Sequence, residues 1–367
     1  MNKKRLIMIA GGGTGGHIYP AISIGQALIE LDSSVTVEYV GTKTGLEQKI
    51  MAKENLPLHL IRSGPLNLSG HAFKKIKNLI SIAIGFVQSV RLIQKMKPEF
   101  VLGVGGYASA PFLLAAALLG NKTALWEPNA YPGMANRLLS KFVPKAYLVF
   151  AEAQKKLKSK DIKIFGMPLR KEIEKARAEN RKIESSGKLR LLCFGGSQGA
   201  TFLNNQLSEF IISNPELHSQ IQVVHQTGIN DFEKMKAKYS GLSCVEVFDY
   251  IYDMPRYYQN ADVQFCRGGA STIAEAACFG VIPIVVPLPA ADAHQEKNAE
   301  VLIKSNAGFM ILQSEFKQED FKKIINQLLT NINLRKDMAL NLKKLASEDA
   351  AQAIAQDILK NSLKEVK

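Results

Sequence analysis

Short apolar runs rich in β-branched residues alternate along this chain with longer stretches of helical periodicity. Leu6–Ala10 reads as a strand, followed by a glycine turn and a helix from about Pro20 to Leu31. Val35–Val40 reads as a second strand and Phe100–Val104 as a later one. The same order restarts at Leu189–Phe194, and Val223–His225, Val245–Phe248, Val263–Phe265 and Ile282–Val286 continue it. Strands alternating with helices in this way predict parallel sheets wrapped by helices. The expected fold class is therefore α/β, with two doubly wound parallel-sheet domains, each opening on a strand and a glycine turn. A chain of 367 residues also exceeds one ordinary core.

The boundary is expected between Gly166 and Gly187, where Met167-Pro168 precedes a charged segment from Arg170 to Arg190. Ser347 to Leu363 carries apolar residues at Ala350, Ala353, Ile354, Ile358 and Leu359, the spacing of an amphipathic helix. The apolar runs around Leu79–Val87 and Pro111–Leu119 fall short of the ~20 residues that span a bilayer. A soluble or peripheral protein is expected.

The composition, 46% hydrophobic and 22% charged, is globular. A formal net charge of +14 calls for a polyanionic partner: nucleic acid, an anionic membrane face or a phosphorylated substrate. Aromatic or arginine-rich nucleic-acid modules are absent, so no nucleic acid is expected. Cys193, Cys244, Cys266 and Cys278 show no CxxC spacing and read as buried thiols. Between Asn55 and Pro98 there is no Asp or Glu, yet Arg62, Lys74, Lys75, Lys77, Arg91, Lys95 and Lys97 fall there. Phe73, Ile76, Leu79, Ile80, Ile84, Phe86, Val87 and Val90 are interleaved with them. Lys74, Lys75, Lys77, Leu79 and Phe86 are expected to face an anionic membrane surface.

Three glycine loops carry candidate chemistry. The first, Gly11 to His17, contains G-x-G-x-x-G between a strand and a helix, the setting in which backbone N–H groups cradle phosphate. A dinucleotide site also wants an acid after the second strand, and Val40-Gly41-Thr42 offers none there. The second loop is Gly103-Val104-Gly105-Gly106-Tyr107 and the third Gly195-Gly196-Ser197-Gln198-Gly199-Ala200. Three such loops at strand ends, spread over two domains, predict a ligand held across an interdomain cleft.

In the second half, Arg267 to Glu275 opens a helix with small residues, which Ser271 or Thr272 could cap. Its N-terminus suits a diphosphate, and Glu275 could take two ribose hydroxyls. Gln295 and Asn298 could read sugar hydroxyls. His17, kept neutral by a helix N-terminus, is the candidate general base. No D-x-D pair and no His/Cys/carboxylate cluster of ligand spacing occurs, so no metal and no cofactor is expected.

Together the segments Gly12 to His17, Gly103 to Tyr107, Gly195 to Ala200 and Arg267 to Glu275 resemble the hallmarks of a known family. It is the peptidoglycan N-acetylglucosaminyltransferases of glycosyltransferase family 28, and the resemblance runs from Arg5 to about Asn361. It implies the GT-B fold, two Rossmann-like domains facing a cleft, with the last helix crossing back to the first. Residues 1–168 with helix 347–363 would form the acceptor and membrane-facing domain, and 169–346 the UDP-sugar domain. The implied donor is UDP-N-acetylglucosamine. The implied acceptor is undecaprenyl-pyrophosphoryl-N-acetylmuramoyl-pentapeptide, glycosylated at its C4 hydroxyl with inversion, at the cytoplasmic face of a bacterial inner membrane.

The resemblance assigns Thr14, Gly15 and Gly16 to a loop flanking donor and acceptor, and Asn129 to the neighbourhood of the transferred sugar. Arg170 and Ser197 match donor-site and phosphate residues, and Ile251 offers a backbone group to uracil. Ala270, Ser271, Thr272, Ile273, Ala274 and Glu275 form the phosphate and ribose site, and Gln295 reads the sugar. Gly103, Gly105, Gly106 and Tyr107 are the acceptor and phosphate loop. Pro128 and Met167 depart from the residues often found at their positions. The alternatives are another GT-B transferase making a glycolipid, a UDP-sugar epimerase, or a nucleotide-sugar sensor that binds without transfer.

Overall fold

The computed structural model describes residues 5–43, 45–64, 72–177, 187–290 and 292–362, with only the backbone for residues 72–75 and 77. Two compact units are present: Met1–Arg170 with Glu348–Lys367, and Lys171–Ser347.

The first unit is built on seven strands: β1 (Arg5–Gly11), β2 (Val35–Thr42), β3 (Leu58–Ile61), β4 (Phe100–Gly105), β5 (Lys122–Glu127), β6 (Lys145–Leu148) and β7 (Asp161–Ile164). They pair in parallel in the order β3-β2-β1-β4-β5-β6-β7. Helices α1 (Gly15–Leu31), α2 (Glu47–Lys53), α3 (Ala72–Met96), α4 (Ser109–Leu118) and α5 (Met134–Leu139) connect them. Helix cover on both faces explains why β1 is one apolar run rather than an alternation. Ile7, Met8 and Ile9 are essentially inaccessible, and each such side chain contributes roughly 1.5–3 kcal/mol on burial.

The second unit has α6 (Lys171–Arg177), β8 (Leu189–Phe194), α7 (Thr201–Ser213), β9 (Ile221–Gln226), α8 (Phe232–Lys238), β10 (Val245–Phe248), α9 (Met254–Asn260) and β11 (Val263–Cys266). Then come α10 (Ala270–Phe279), β12 (Ile282–Val285), α11 (His294–Lys304), β13 (Phe309–Met310), α12 (Gln318–Thr330) and α13 (Ile332–Lys343). The parallel order is β10-β9-β8-β11-β12-β13. Its core packs Phe210 and Phe265 against Phe321, with ring centroids 4.9 and 4.7 Å apart. All four cysteines are buried free thiols, and burial pushes Cys278 up to about 12.

The last helix, α14 (Ala350–Ser362), belongs to the first unit. It packs on α1, and its buried Asp357 accepts from Tyr147 Oη at 2.8 Å and pairs with Lys145 and Lys163. Burial pushes the Asp357 carboxyl up, but these partners outweigh it and hold it below the usual range.

Three sequence expectations change. Helix α1 starts at Gly15, five residues before the expected Pro20, because the glycines continue the helix rather than ending the loop. The final helix starts at Ala350 rather than at the expected Ser347, and the expected end at Leu363 lies outside the described residues. The apolar runs taken singly also understate α3. Its segment Asn78–Met96, of mean hydropathy 1.3, is long and apolar enough to cross a membrane by length and composition. One side of that helix is a layer of the domain. It packs on α4 and β3, with Ile93 and Ser89 buried and Gln88 Oε1 accepting from the Arg62 N–H at 2.7 Å.

Candidate active site

In each sheet the strand order reverses once, between β1 and β4 in the first unit and between β8 and β11 in the second. At such a switch point the loops leaving adjacent strand ends diverge and open a crevice for ligand. The four glycine-rich segments singled out in the sequence follow β1, β4, β8 and β11, the strands that flank the two crevices.

In the first unit, Thr14 is the N-cap of α1, and the N–H groups of His17 and Ile18 both reach its carbonyl. Gly15 and Gly16 are the first two helical residues, whose N–H groups have no partner within a helix. The loops after β1 and β4 interlock. Gly105 and Gly106 have positive φ, and a Cβ on Gly106 would lie 2.2 Å from Gly12 O. A Cβ on Gly105 would lie 2.8 Å from His17 Cδ2, so the imidazole lies against the second loop. His17 Nδ1 is 3.3 Å from Thr14 Oγ1. Burial pushes the His17 pKa down, while the Gly12 backbone and the Glu47 charge act in the opposite sense. Burial thus acts in the same sense as the helix N-terminus expected to keep the imidazole neutral.

Glu47 was missed by the sequence reading, which found no carboxylate after β2. It is buried, and accepts from Gly13 N–H, Thr42 N–H and Thr42 Oγ1, each at 2.8 Å. The Gly12 and Gly13 N–H groups of the first glycine loop are therefore both bonded within the protein, the former to Gly105 O at 3.3 Å. Burial pushes the Glu47 carboxyl up, but the Gly13 and Thr42 donors outweigh it and hold it below the usual range.

Asn129 follows β5 and is held by Glu127, whose Oε1 accepts from its N–H at 2.9 Å and its Nδ2 at 3.1 Å. Gly133 N–H and Asn136 Nδ2 donate to the other oxygen at 3.0 and 2.9 Å. Burial raises the Glu127 pKa despite these donors. The Arg170 guanidinium lies 5.3 Å from the centroid of the Tyr19 ring on α1. Tyr107 is half-exposed, and its carbonyl accepts from Ser63 Oγ at 2.6 Å. Gly103 lies inside β4 against Leu113 and Ser109.

In the second unit, Ser197 is exposed on the loop after β8. Ile251 is buried, and its N–H donates to Gln226 Oε1 at 3.0 Å. The same amide donates from Nε2 to Gly196 O at 2.9 Å. Gln226, which the sequence reading passed over, thus ties the Ser197 loop to the backbone at Ile251. The only sequence signal for it is a polar His225-Gln226 pair closing an apolar strand.

Helix α10 is capped by Gly269 without a side-chain bond, so Ser271 and Thr272 are not caps but the second and third helical residues. Ala270 and Ile273 are buried, so this turn presents its backbone N–H groups and the half-buried Ser271 and Thr272. Ala274 is half-buried. Glu275 is half-buried in the second turn, beyond the reach of a first-turn acid that merely complements the dipole. Arg267 donates to Val286 O at 3.1 Å and Pro287 O at 3.3 Å.

Gln295 and Asn298 both clamp Gly268. Gln295 Oε1 accepts from the N–H groups of Gly268 at 3.1 Å and Leu288 at 2.9 Å, and Asn298 Nδ2 donates to Gly268 O at 3.0 Å. Asn298 is fully buried, so it supports this backbone rather than reading a sugar as expected. Only the amide nitrogen of Gln295 is left for a ligand. Among the described residues no group of three or more His, Cys, Asp or Glu could hold a metal ion.

Two doubly wound units with small-residue loops at both switch points define the GT-B class of glycosyltransferases, and the comparisons agree. The glycosyltransferase family 28 N-terminal domain matches residues 7–148 and the family's C-terminal domain residues 190–354. The UDP-N-acetylglucosamine–N-acetylmuramyl-(pentapeptide) pyrophosphoryl-undecaprenol N-acetylglucosamine transferase of Bdellovibrio bacteriovorus is 51% identical over 98% of this chain and 100% of its own. The protein of the same name from Geotalea daltonii is 35% identical over 96% of each chain. The crystal structure of Acinetobacter baumannii MurG superposes with a TM-score of 0.78 at 28% identity, covering 97% of this chain and 99% of that one. The chain belongs to glycosyltransferase family 28.

Proposed function

We propose that this protein transfers N-acetylglucosamine from UDP-N-acetylglucosamine to the C4 hydroxyl of the N-acetylmuramoyl group in undecaprenyl-pyrophosphoryl-N-acetylmuramoyl-pentapeptide. The observation that carries this reading is near end-to-end similarity to transferases of that name, 51% over 98% of the chain. The placement of all four hallmark loops beside the two switch points supports it. A sensor that only binds would have no need of a general base, and His17 is suited to be one.

In this reading the second unit binds the donor. The diphosphate lies at the N-terminus of α10, whose unpaired N–H groups and positive dipole end oppose the charge that grows on departing UDP. Glu275 takes the ribose hydroxyls, Ser197 a phosphate oxygen, the backbone at Ile251 the uracil, and the Gln295 amide nitrogen a sugar hydroxyl. Asn129, Arg170 and the first turn of α1 at Thr14, Gly15 and Gly16 face the transferred sugar from the first unit. The loop from Gly103 to Tyr107 meets the acceptor.

His17 Nε2 accepts the proton of the C4 hydroxyl as that oxygen attacks the anomeric carbon. One C–O bond forms as the bond to the UDP oxygen breaks. UDP departs with the electron pair and the anomeric centre inverts.

The protein works in this reading as a peripheral enzyme at the cytoplasmic face of the membrane. Ile76, Leu79, Ile80 and Val87 of α3 are exposed, and Phe86 lines an apolar cavity of about 480 Å³ shared with Leu138 and Phe142. Lys74, Lys75 and Lys77 have side chains outside the described residues, so their part rests on sequence alone.

The test is UDP release in the presence of donor and lipid acceptor. Release that depends on the acceptor supports transfer. UDP release without acceptor, or interconversion of the free UDP-sugar, supports the epimerase reading instead.

A further inference from the structure

We propose that a pocket at the ends of β2 and β3 binds the diphosphate and first isoprene units of a polyprenyl diphosphate. Here it would be the lipid end of the acceptor, so the assignment rests on the function proposed above. The pocket encloses about 380 Å³ and is separate from the glycine loops.

Two cations meet there for a reason of register. Thr42 and Ile61 are paired as the last residues of adjacent parallel strands, so Lys43 and Arg62 leave the sheet side by side. Neighbouring strands lie ~4.8 Å apart, a spacing that lets two cations share one diphosphate. Both side chains are exposed, and among the described residues neither has a carboxylate partner. No Asp or Glu occurs from Asn55 to Pro98, and the Glu47 carboxylate behind Thr42 is buried and taken up by the Gly13 and Thr42 donors.

The rest of the lining is amphiphilic in the matching sense. Ser81 adds a polar group beside the cations, the Ser63 hydroxyl proton is taken by the Tyr107 carbonyl, and Ile61, Ile80 and Ile84 contribute hydrocarbon. Arg62 is held against this face of α3 at two points. Its N–H donates to Gln88 Oε1 at 2.7 Å, and its carbonyl lies where a Cβ on Gly85 would be, 1.8 Å away. A soluble phosphate would need no isoleucine wall, and a plain hydrocarbon would need no cations.

The pocket is also joined to the glycine loops. Thr42 shares Glu47 with Gly13, and Ser63 Oγ donates to the carbonyl of Tyr107. In the acceptor the diphosphate hangs from C1 of the sugar, across the ring from the C4 hydroxyl. If C4 faces His17, the diphosphate must lie beyond the glycine loops, and the Gly13 N–H is already occupied by Glu47. Lys43 and Arg62 are the cations next in line.

The full chain would be titrated with farnesyl diphosphate, farnesol and inorganic pyrophosphate, and tested against phosphatidylglycerol vesicles. Farnesyl diphosphate should bind at least tenfold tighter than either half-molecule, and more weakly at high salt. The K43Q/R62Q double variant should lose at least tenfold of that affinity, and K43R alone should keep it. I80S should weaken farnesyl diphosphate but not pyrophosphate. In turnover, K43Q/R62Q should raise KM for the lipid acceptor at least tenfold and leave KM for UDP-N-acetylglucosamine unchanged. Farnesyl diphosphate binding no better than its halves, or an unmoved acceptor KM, would overturn the proposal while leaving the transferase reading intact. Loss of vesicle binding alone in K43Q/R62Q would assign the cations to membrane headgroups and likewise overturn it. A wild-type protein that binds farnesyl diphosphate through these cations yet transfers no sugar would overturn the function and keep the pocket.

Discussion

Glu47 accepts a 2.8 Å hydrogen bond from the backbone N–H of Gly13, fastening the first glycine loop to the start of α2. The same carboxylate takes the N–H and hydroxyl of Thr42, so one buried side chain sets the spacing between the ends of β1 and β2. Replacing it with Ala leaves buried donors unpaired, at roughly 1–3 kcal/mol for each. Glu47→Ala should lower the thermal midpoint and reduce turnover at least tenfold. The pH dependence follows from the direction of the shift. The folded carboxyl titrates below its unfolded value, so its stabilisation is fully present above the ordinary carboxylate range and is lost as pH falls through the depressed folded value. Thermal unfolding of wild type and Glu47→Gln from pH 7 down to pH 3 checks this: the variant should show the shallower acid dependence.

His17→Ala should lower kcat by ~10²–10⁴, the usual contribution of a positioned base, with UDP affinity little changed. Because burial lowers its pKa, the base is already neutral at pH 7, and the acid limb of the kcat profile should fall below 6.5. A variant that keeps nearly full turnover would assign the proton transfer to another group. Steady-state kinetics across pH 5–8, beside calorimetric titration with UDP, separates the two.

Much of the fold is legible in the sequence because buried parallel strands are written as uninterrupted apolar runs. Leu189–Phe194 occupies the residues its pattern predicts. The start of α1 is not legible, since glycines read as helix breakers while the close approach of Gly106 to Gly12 concerns a loop about ninety residues away in the chain. Glu47 looks like any acid opening a short helix until folding brings Gly13 beside it. Asn298 and Gln295 share a sequence signature, polar residues early in a helix, yet both turn to the backbone of Gly268. Sequence marks a side chain as polar without saying whether its partner is a ligand or a carbonyl of the same chain.

Glu275→Ala should raise KM for the UDP-sugar at least tenfold with the fold intact. Two hydrogen bonds to a charged acceptor would be lost, each worth ~1.5–3 kcal/mol before water compensates. Its place in the second turn of α10 leaves dipole complementarity a minor role there. Unchanged donor affinity in an isothermal titration would end the ribose assignment.

Membrane attachment through α3 predicts sedimentation with vesicles that requires anionic lipid and weakens with salt, each cation near the surface contributing ~1 kcal/mol. Changing Lys74, Lys75 and Lys77 to Glu should weaken it again. Indifference to lipid charge would leave the acceptor's own tail as the tether.

The central claim is the transfer itself. Protein incubated with UDP-N-acetylglucosamine labelled in the sugar, and with undecaprenyl-pyrophosphoryl-N-acetylmuramoyl-pentapeptide, should move label into the lipid fraction with one UDP released per sugar. The product should carry a β-linked N-acetylglucosamine on C4 of the muramoyl ring, the inverted anomer. Label that stays in the aqueous sugar nucleotide while the acceptor is intact, or a product bearing the retained α-linkage, would contradict the account.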